Sequence, residues 1–178
     1  MLRADAQRNV ERLKSAALEV FRERGLGSPL EEVARRAGVS VGTLYNRFGS
    51  REALIDAVLP ELVLTNVGRI RHAAFQADDS WERVERYFNG LLEMQVADPA
   101  LSEAVVRAHA DTPELAAACE VALNDGATLL HEAGVDDSLT GREIVAAFLV
   151  SNAAIVAQNG SDAARRMLAV LLAGLDPE

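Results

Sequence analysis

Apolar residues recur every three or four positions along almost the whole chain, which is the spacing of one face of an α-helix. In the N-terminal segment, Val10, Leu13, Ala17 and Phe21 share such a face. No segment shows sustained alternation of apolar and polar residues, so strands are not expected. The pattern predicts an all-α fold of about nine helices, near 8–24, 29–37, 41–48, 51 to beyond 62, 80–97, 99–111, 113–133, 140–158 and 162–174.

The second and third helices are short and closely spaced. Ser28, Pro29 and Glu31 match a capping box with proline in the first turn. Gly38 is placed to end the second helix and Ser40 to cap the third. Two short helices joined by a glycine-containing turn of about three residues indicate a helix-turn-helix.

Three later positions bear on the helix bounds. Pro60 predicts a kink or break near 56–60, because proline removes a backbone hydrogen bond. The sequence Asn-Asp-Gly at 124–126 is typical of a turn, but the apolar spacing continues across it and favours one helix. Ser161 is expected to cap the last helix, and residues 136–139 to form a loop.

The last two helices carry more apolar surface than one core needs. From Ile144 to Val156 the sequence is apolar almost all round, which is typical of a helix buried on more than one side. This surplus predicts a homodimer through the last two helices. The expected interface residues are Ile144, Phe148, Ile155, Leu168, Leu171 and Leu172.

Charge is unevenly distributed along this acidic chain, whose net charge is −9. Residues 1–60 hold ten basic and eight acidic side chains, whereas the remainder is strongly acidic. Between positions 34 and 51 lies a basic island without an acidic residue. Such an island on an acidic body indicates one local contact with a polyanion. The island consists of Arg35, Arg36, Arg47 and Arg51.

Composition excludes several classes of protein. With 49% hydrophobic and 25% charged residues, the chain is not intrinsically disordered. Its single cysteine, Cys119, rules out an intramolecular disulfide. The longest mostly apolar run, 144–157, is shorter than the ~18 residues of a membrane span. The first residues lack the apolar region of a secretory signal, so we expect a cytoplasmic protein.

Three segments carry a specific pattern: LEEVARRAG at 30–38, GVSVGTLYNRF at 38–48 and SREAL at 50–54. Together they resemble the tetracycline-repressor (TetR/AcrR) family of bacterial transcriptional regulators. The resemblance implies a homodimeric repressor that binds an inverted-repeat DNA operator and is released by a small-molecule effector, without a cofactor. It implies a DNA-binding domain at 8–55 and a ligand-binding and dimerisation domain at 56–178.

The third helix carries the chemistry needed to read DNA. Asn46 suits an adenine edge, Arg47 a guanine edge, and Thr43 a thymine methyl or a phosphate. Tyr45 and Arg51 resemble phosphate contacts of the family. Alternatively, Tyr45 could pack under the turn and Arg47 could be a solvated charge. The expected DNA contacts are Ser40, Val41, Gly42, Thr43, Tyr45, Asn46, Arg47 and Arg51.

The resemblance also implies an effector cavity, which we place between the fifth, seventh and eighth helices. Spacing alone would assign most of its lining to the core. Its polar members need partners, and internal hydrogen bonds would satisfy them equally well. We expect a largely apolar effector. The expected lining is Tyr87, Leu91, Met94, Gln95, His109, Cys119, Leu123, Phe148 and Asn152.

Two other functions are considered. An enzyme is disfavoured because His72, His109 and His131 lack metal-ligand spacing and Cys119 lies in no nucleophile motif. No glycine-rich phosphate loop is present. The remaining alternative is a partner-binding adaptor that keeps the helix-turn-helix only as a structural unit.

Overall fold

The structure is a computed structural model that describes the backbone of residues 2–135 and 140–177, and side chains from residue 7 onward in those ranges. The loop expected at 136–139 lies outside them. Within the described ranges no helix is long and apolar enough to cross a membrane. Those ranges form nine helices and no strand, which confirms the all-α prediction. The helices are α1 (Leu2–Arg24), α2 (Leu30–Ala37), α3 (Val41–Phe48), α4 (Arg51–Ala74), α5 (Ser80–Ala97), α6 (Pro99–Arg107), α7 (Pro113–Glu132), α8 (Gly141–Asn159) and α9 (Ser161–Leu175).

The turn between α2 and α3 forms as its sequence predicts. Gly38 adopts a left-handed conformation with φ 69°. Its N–H donates to Arg35 O at 3.2 Å, and the N–H of Val39 donates to Ala34 O at 3.0 Å. These two bonds satisfy the last carbonyls of α2. The Ser40 Oγ then accepts the Thr43 N–H at 3.2 Å and caps α3. The helix-turn-helix is therefore confirmed.

Two predicted caps are wrong. The Ser28 side chain is buried, and its hydroxyl donates to Gly25 O at 2.8 Å. It therefore does not cap α2, which begins at Leu30 behind Pro29. At the other end of the chain, Ser161 is itself the first residue of α9, and no side chain caps that helix.

Helix α6 ends at Arg107, earlier than the predicted residue 111. Thr112 explains the early end, because its hydroxyl donates to Arg107 O at 2.6 Å and accepts the His109 N–H at 3.0 Å. These bonds close a compact turn between α6 and α7. Thr112 also occupies the N-cap position of α7, but its side chain makes no capping hydrogen bond to that helix.

Helix α4 runs without a break through Pro60, so a break there is wrong and the kink stays a prediction. Pro60 has no N–H, but the helix is held by buried residues on both sides of it, including Leu59, Val63 and Val67. The Asp56 carboxylate accepts the Leu115 N–H at 2.8 Å, which ties this part of α4 to the first turn of α7. Tertiary packing therefore outweighs the missing backbone hydrogen bond.

The buried residues fall into two clusters. One joins α1–α4 to α6 and α7 and includes Phe21, Leu44, Leu101 and Leu115. The other lies among α5, α7, α8 and α9. The helix-turn-helix unit therefore shares its core with α6 and α7, and α4 continues through the expected domain boundary at 55/56.

Candidate DNA-binding interface and effector cavity

Helix α3 is anchored by one side chain and exposes most of the others. Leu44 is fully buried among α1, α2 and α4, whereas Thr43, Asn46 and Arg47 are exposed. Tyr45 is 45% exposed, so it does not pack beneath the turn. The structure thus presents most of the predicted DNA contacts on one side of a short, capped helix.

Two hydroxyl groups hydrogen-bond in the first turn of α3, and a glycine leaves the backbone there uncovered. The Ser40 and Thr43 hydroxyls lie 2.9 Å apart and hydrogen-bond each other, while Val41 packs half-buried on the core. A Cβ on Gly42 would meet nothing closer than the Ser40 Oγ, at 3.8 Å. Glycine is unfavourable in a helix, and no contact within the described chain requires it here. Its effect is to leave the α3 backbone accessible from outside.

Three of the four arginines of the basic island make hydrogen bonds or ion pairs within the chain. Arg35 makes a two-bond ion pair with Glu32 at 3.0 and 2.7 Å, and Arg36 makes one with Glu23 at 2.8 and 2.9 Å. The hydrogen bonds from these arginines lower the pKa of Glu32 and of Glu23. In the described part of the chain, Arg47 is the member of the island for which no intramolecular hydrogen bond or ion pair is found.

Arg51 is held by backbone groups rather than left open for phosphate. One of its terminal nitrogens donates to Leu26 O at 2.8 Å and to Ser28 O at 2.6 Å. These carbonyls belong to the connection between α1 and α2. Arg51 therefore fixes that connection against the start of α4, a role that the sequence analysis did not anticipate.

The exposed face of the terminal helices differs from the predicted dimer interface. Ile144, Phe148, Leu168 and Leu172 are buried in the core of their own chain, which leaves them little surface for contact with a second copy. Ile155 and Leu171 are half-buried against the same core. Helices α8 and α9 instead expose other residues. The small or apolar ones are Ala147, Val150, Ser151, Ala154, Ala157, Ala169, Val170, Ala173 and Gly174.

The space expected for the effector between α5, α7 and α8 is filled by side chains. Phe88 and Phe148 pack with their ring centroids 5.1 Å apart, and the Tyr87 hydroxyl donates to Ala122 O at 2.9 Å. Burial raises the pKa of the Tyr87 hydroxyl, which stays protonated as that donor. A Cβ on Gly126 would lie 2.6 Å from Val145 Cγ2, so this glycine allows α7 and α8 to pack closely.

The remaining apolar candidates belong to the same packing. Leu91 is fully buried, and Met94 and Leu123 pack half-buried against the core. Burial raises the pKa of the Cys119 thiol to about 11, which makes it an inert core residue. Tyr87, Leu91 and Phe148 therefore lie in the core, and the cavity described next includes none of them, nor Met94, Cys119, Leu123 or Asn152.

A cavity of about 750 Å³ lies instead among α5, α6 and α8. Gln95 and His109 are the predicted residues that reach it. The sequence analysis missed its α6 wall, because an exposed apolar residue such as Val106 has the same helical spacing as a core residue. The other lining residues are Val96, Pro99, Ser102, Glu103, Arg107, Val150, Ala153, Ala154, Val156 and Ala157.

A buried pair of carboxamides joins α5 to α8, and one member of it, Gln95, lines the cavity. Gln95 is 1% exposed and its Nε2 donates to Leu149 O at 3.0 Å. Its Oε1 accepts the Asn152 Nδ2 at 2.7 Å, and Asn152 is fully buried. Asn152 Oδ1 is buried without a hydrogen-bond partner among the described residues. The internal bonds thus satisfy this pair only in part.

The cavity wall also touches the helix-turn-helix unit. The Glu103 carboxylate accepts the Leu26 N–H at 3.2 Å, and Asp98, which caps α6, pairs with Arg22 of α1 at 2.6 Å. Both contacts reach the C-terminal end of α1 and the residues just after it. A shift of α6 would therefore act directly on the end of α1 and on the connection that leads into α2.

Known sequences resemble this chain in the helix-turn-helix unit. Residues 13–58, from α1 to the first turns of α4, match the family model for bacterial regulatory proteins of the tetR family. Over these residues, which include the whole helix-turn-helix unit, the chain is similar to the tetR family. The chain is 32% identical over 72 residues to an uncharacterized HTH-type transcriptional regulator, YvdT, of Bacillus subtilis, and 44% identical over 54 residues to the HTH-type transcriptional regulator LuxR of Vibrio harveyi. These alignments cover 40% and 30% of the chain, and 37% and 26% of the relatives' lengths.

Solved structures share the whole fold of this chain. RolR in complex with resorcinol superposes with a TM-score of 0.69 at 20% identity, over 97% of this chain and 89% of that one. FadR from Bacillus subtilis in complex with stearoyl-CoA gives 0.67 at 18% identity, over 94% and 98%. At such identities the likeness shows the fold alone, including the C-terminal helices that the sequence relatives do not cover.

Proposed function

We propose that this chain is a transcriptional repressor that binds an inverted-repeat operator as a homodimer and releases it when a small molecule binds. The observation that carries the proposal is α3: a capped helix in a segment similar to the tetR family, with Arg47 unengaged within the described chain and Thr43, Tyr45 and Asn46 exposed beside it. Side chains near the start of such a helix can reach base edges in a major groove about 12 Å wide. We place the DNA-binding domain at 8–55 and the effector and dimerisation domain at 56–178. The relatives named above are regulators, and nothing in the described site favours an enzyme.

The DNA proposal is tested by selecting duplexes from a random pool and measuring affinity for the best site. We expect a symmetric site, and binding that weakens with salt as counterions are released. Arg47→Ala should lose about 1–3 kcal/mol and relax preference at one base position, because arginine reads guanine through two hydrogen bonds. Arg86→Ala, which removes the same charge from α5, should leave binding unchanged. Recovery of no symmetric site at low salt would overturn the proposal.

The dimer proposal rests on the exposed faces of α8 and α9. Val170 is 75% exposed and Val150 is 49% exposed, and small side chains beside them permit close helix packing. Two such helices from each copy would bury well over the ~1,000 Å² of a specific interface. We expect Val170→Glu to give a folded monomer by sedimentation, because its charge would be buried without a partner. Val121→Glu on α7 is the matched control and should remain a dimer; a dimeric Val170→Glu would contradict this interface.

The effector proposal places the small molecule in the cavity among α5, α6 and α8. The neighbours RolR and FadR were solved with resorcinol and stearoyl-CoA, which supports a ligand site in a chain of this fold. The volume of about 750 Å³ lies within the usual range for small-molecule sites. The ligand can release DNA only if it prefers the conformation with low DNA affinity. The Glu103 and Asp98 contacts to α1 provide the physical connection.

A further inference from the structure

The α6 wall of the cavity is a single helix face that carries polar groups. Its residues recur every three or four positions, so they lie on one side of α6. They are Pro99, Ser102, Glu103, Val106 and Arg107. The α8 wall consists of hydrocarbon side chains, which can cover an apolar body but cannot bind a polar group. Its residues are Val150, Ala153, Ala154, Val156 and Ala157.

Arg107 lacks the ion-pair partner that its own helix offers. Glu103 lies four residues before it, which is the favourable arrangement for an ion pair within a helix. The Glu103 carboxylate is instead turned to the connection between α1 and α2, where Oε2 accepts the Leu26 N–H at 3.2 Å and Oε1 lies where a Cβ on Gly25 would be. Arg107 accepts the Thr112 hydroxyl through its backbone carbonyl, but its guanidinium has no hydrogen-bond or ion-pair partner among the described residues.

Burial distinguishes Arg107 from the other unpaired arginines of the acidic C-terminal part. Arg69 and Arg166 also lack a side-chain partner in the described chain, but both are exposed, whereas Arg107 is half-buried at the cavity. Water compensates an exposed guanidinium, and a half-buried one depends more on an anion or an acceptor nearby. Arg107 is therefore the group of the cavity wall that most needs a counter-ion.

A second polar group without a partner lies on the same face of α6. Ser102 is 8% exposed, and its hydroxyl makes no hydrogen bond among the described residues. The Ser102 Oγ is not among the fully enclosed unpartnered atoms, so it keeps accessible surface, and Ser102 lines the cavity. Helical side chains lean towards the helix N-terminus, which directs Arg107 along the face towards Ser102. A guanidinium and a hydroxyl in this order can bind one oxyanion together.

The remaining polar groups of the cavity are already engaged. Gln95 donates to Leu149 O and accepts from Asn152. His109 is exposed, and its Nδ1 accepts the Asp111 N–H at 3.2 Å. The hydrogen-bonding capacity that the described chain leaves open at the cavity is therefore greatest at Arg107 and Ser102.

We propose that the effector is an organic carboxylate with an apolar body, whose carboxylate binds Arg107 and Ser102 while the α8 wall covers the rest. This inference rests on the proposed function, since it assigns ligand chemistry to the effector cavity. A guanidinium matches a carboxylate with two parallel hydrogen bonds. One cation balances a single negative charge, whereas a phosphate monoester carries up to two and would meet the Glu103 carboxylate on the same face. A neutral molecule of the same shape leaves Arg107 without a counter-ion.

Four probes with the same phenyl body separate the ligand classes: benzoate, benzamide, benzylamine and phenyl phosphate. Calorimetry on the full-length protein should show benzoate binding at least about tenfold more tightly than benzamide, because hydrogen bonds between charged groups are the stronger ones. Tighter binding of benzylamine would assign the site to Glu103, and tighter binding of phenyl phosphate to a different class of anion. Either result overturns the proposal, as does equal binding of benzoate and benzamide or binding of none of the four at millimolar concentration.

Arg107→Met tests the guanidinium itself. Methionine keeps much of the side-chain length, and no described hydrogen bond of the guanidinium is lost with it. We expect Arg107→Met to bind benzoate and benzamide equally and Arg107→Lys, which keeps the charge, to retain part of the preference. Arg69→Met removes the same charge from an exposed position on α4 and should keep the whole preference. A preference that survives in Arg107→Met, or that is lost equally in Arg69→Met, overturns the proposal.

Ser102→Ala tests the second group and should weaken benzoate binding while leaving benzamide binding unchanged. Equal weakening of both probes would show that the hydroxyl does not bind the carboxylate, which contradicts the proposed site. Operator binding is measured without probes on the same proteins. A wild type that binds no DNA but prefers benzoate fails as a repressor and keeps the carboxylate site, whereas one that binds its operator without this preference keeps the repressor function and loses the carboxylate site.

Discussion

Arg51→Met is expected to destabilise the fold, whereas Arg47→Met is expected to weaken DNA binding without destabilising it. Arg51 donates to the carbonyls of Leu26 and Ser28, and Leu26 is fully buried. Hydrogen bonds from a charged group contribute about 1.5–3 kcal/mol, so the loss in free energy of unfolding should be of that order. Methionine keeps much of the side-chain length, which limits the change to the guanidinium. Urea unfolding of both variants gives the measurement.

These variants distinguish two possible roles of Arg51, a contact to DNA phosphate and a support for the connection between α1 and α2. Sequence resemblance alone does not distinguish them. If Arg51 serves only as a phosphate contact, Arg51→Met unfolds at the same urea concentration as the wild type and binds all DNA sequences more weakly. If it fixes the connection between α1 and α2, stability falls, and DNA affinity falls with it because α3 loses its support. Equal stability of Arg51→Met and Arg47→Met would contradict the structural role.

The helix-turn-helix was predictable because its signals are local. Gly38 and Ser40 set helix ends through hydrogen bonds between near neighbours, and the structure confirms both. The break predicted at Pro60 is wrong for the opposite reason, because packing along α4 competes with the local preference of proline. Ser28 is a different case, since its hydroxyl bonds another near neighbour, Gly25 O, instead of capping α2. Local signals decide an element where tertiary contacts do not oppose them.

The effector site was far less predictable, because a core residue and a cavity residue have the same helical spacing. Tyr87 and Phe148 have the spacing and chemistry of a pocket, yet the absence of a side chain at Gly126 lets α7 approach and close the space. The polar residues gave the better signal. Gln95 was expected to need a partner and proved to be both hydrogen-bonded and at the cavity. The sequence alone does not indicate which helices leave space between them. In this fold the cavity is lined by α6, and not by α7 as expected.

Gly25→Ala is expected to lower stability and to loosen the contact between the helix-turn-helix unit and the cavity wall. Gly25 has φ +82°, and a Cβ there would lie 2.2 Å from Glu103 Oε1. Alanine would therefore incur about 1–2 kcal/mol for the left-handed conformation. It would also displace the Glu103 carboxylate from the Leu26 N–H, which adds about 1–3 kcal/mol for an unsatisfied buried donor.

A double-mutant cycle with Glu103→Ala separates these two contributions, since contacting residues are not additive. With the carboxylate removed, Gly25→Ala should retain only its conformational cost. Gly134→Ala supplies that cost independently, because Gly134 has φ +79° and no atom within 4 Å of the position of a Cβ. If the losses in free energy of unfolding add up in the cycle, the Glu103 carboxylate does not contact residue 25. A coupling of 1 kcal/mol or more, on the order seen for contacting residues, would establish a direct mechanical link from the cavity wall to the end of α1. That link is short enough for a ligand-induced shift of α6 to reach the DNA-binding domain without any bend in α4.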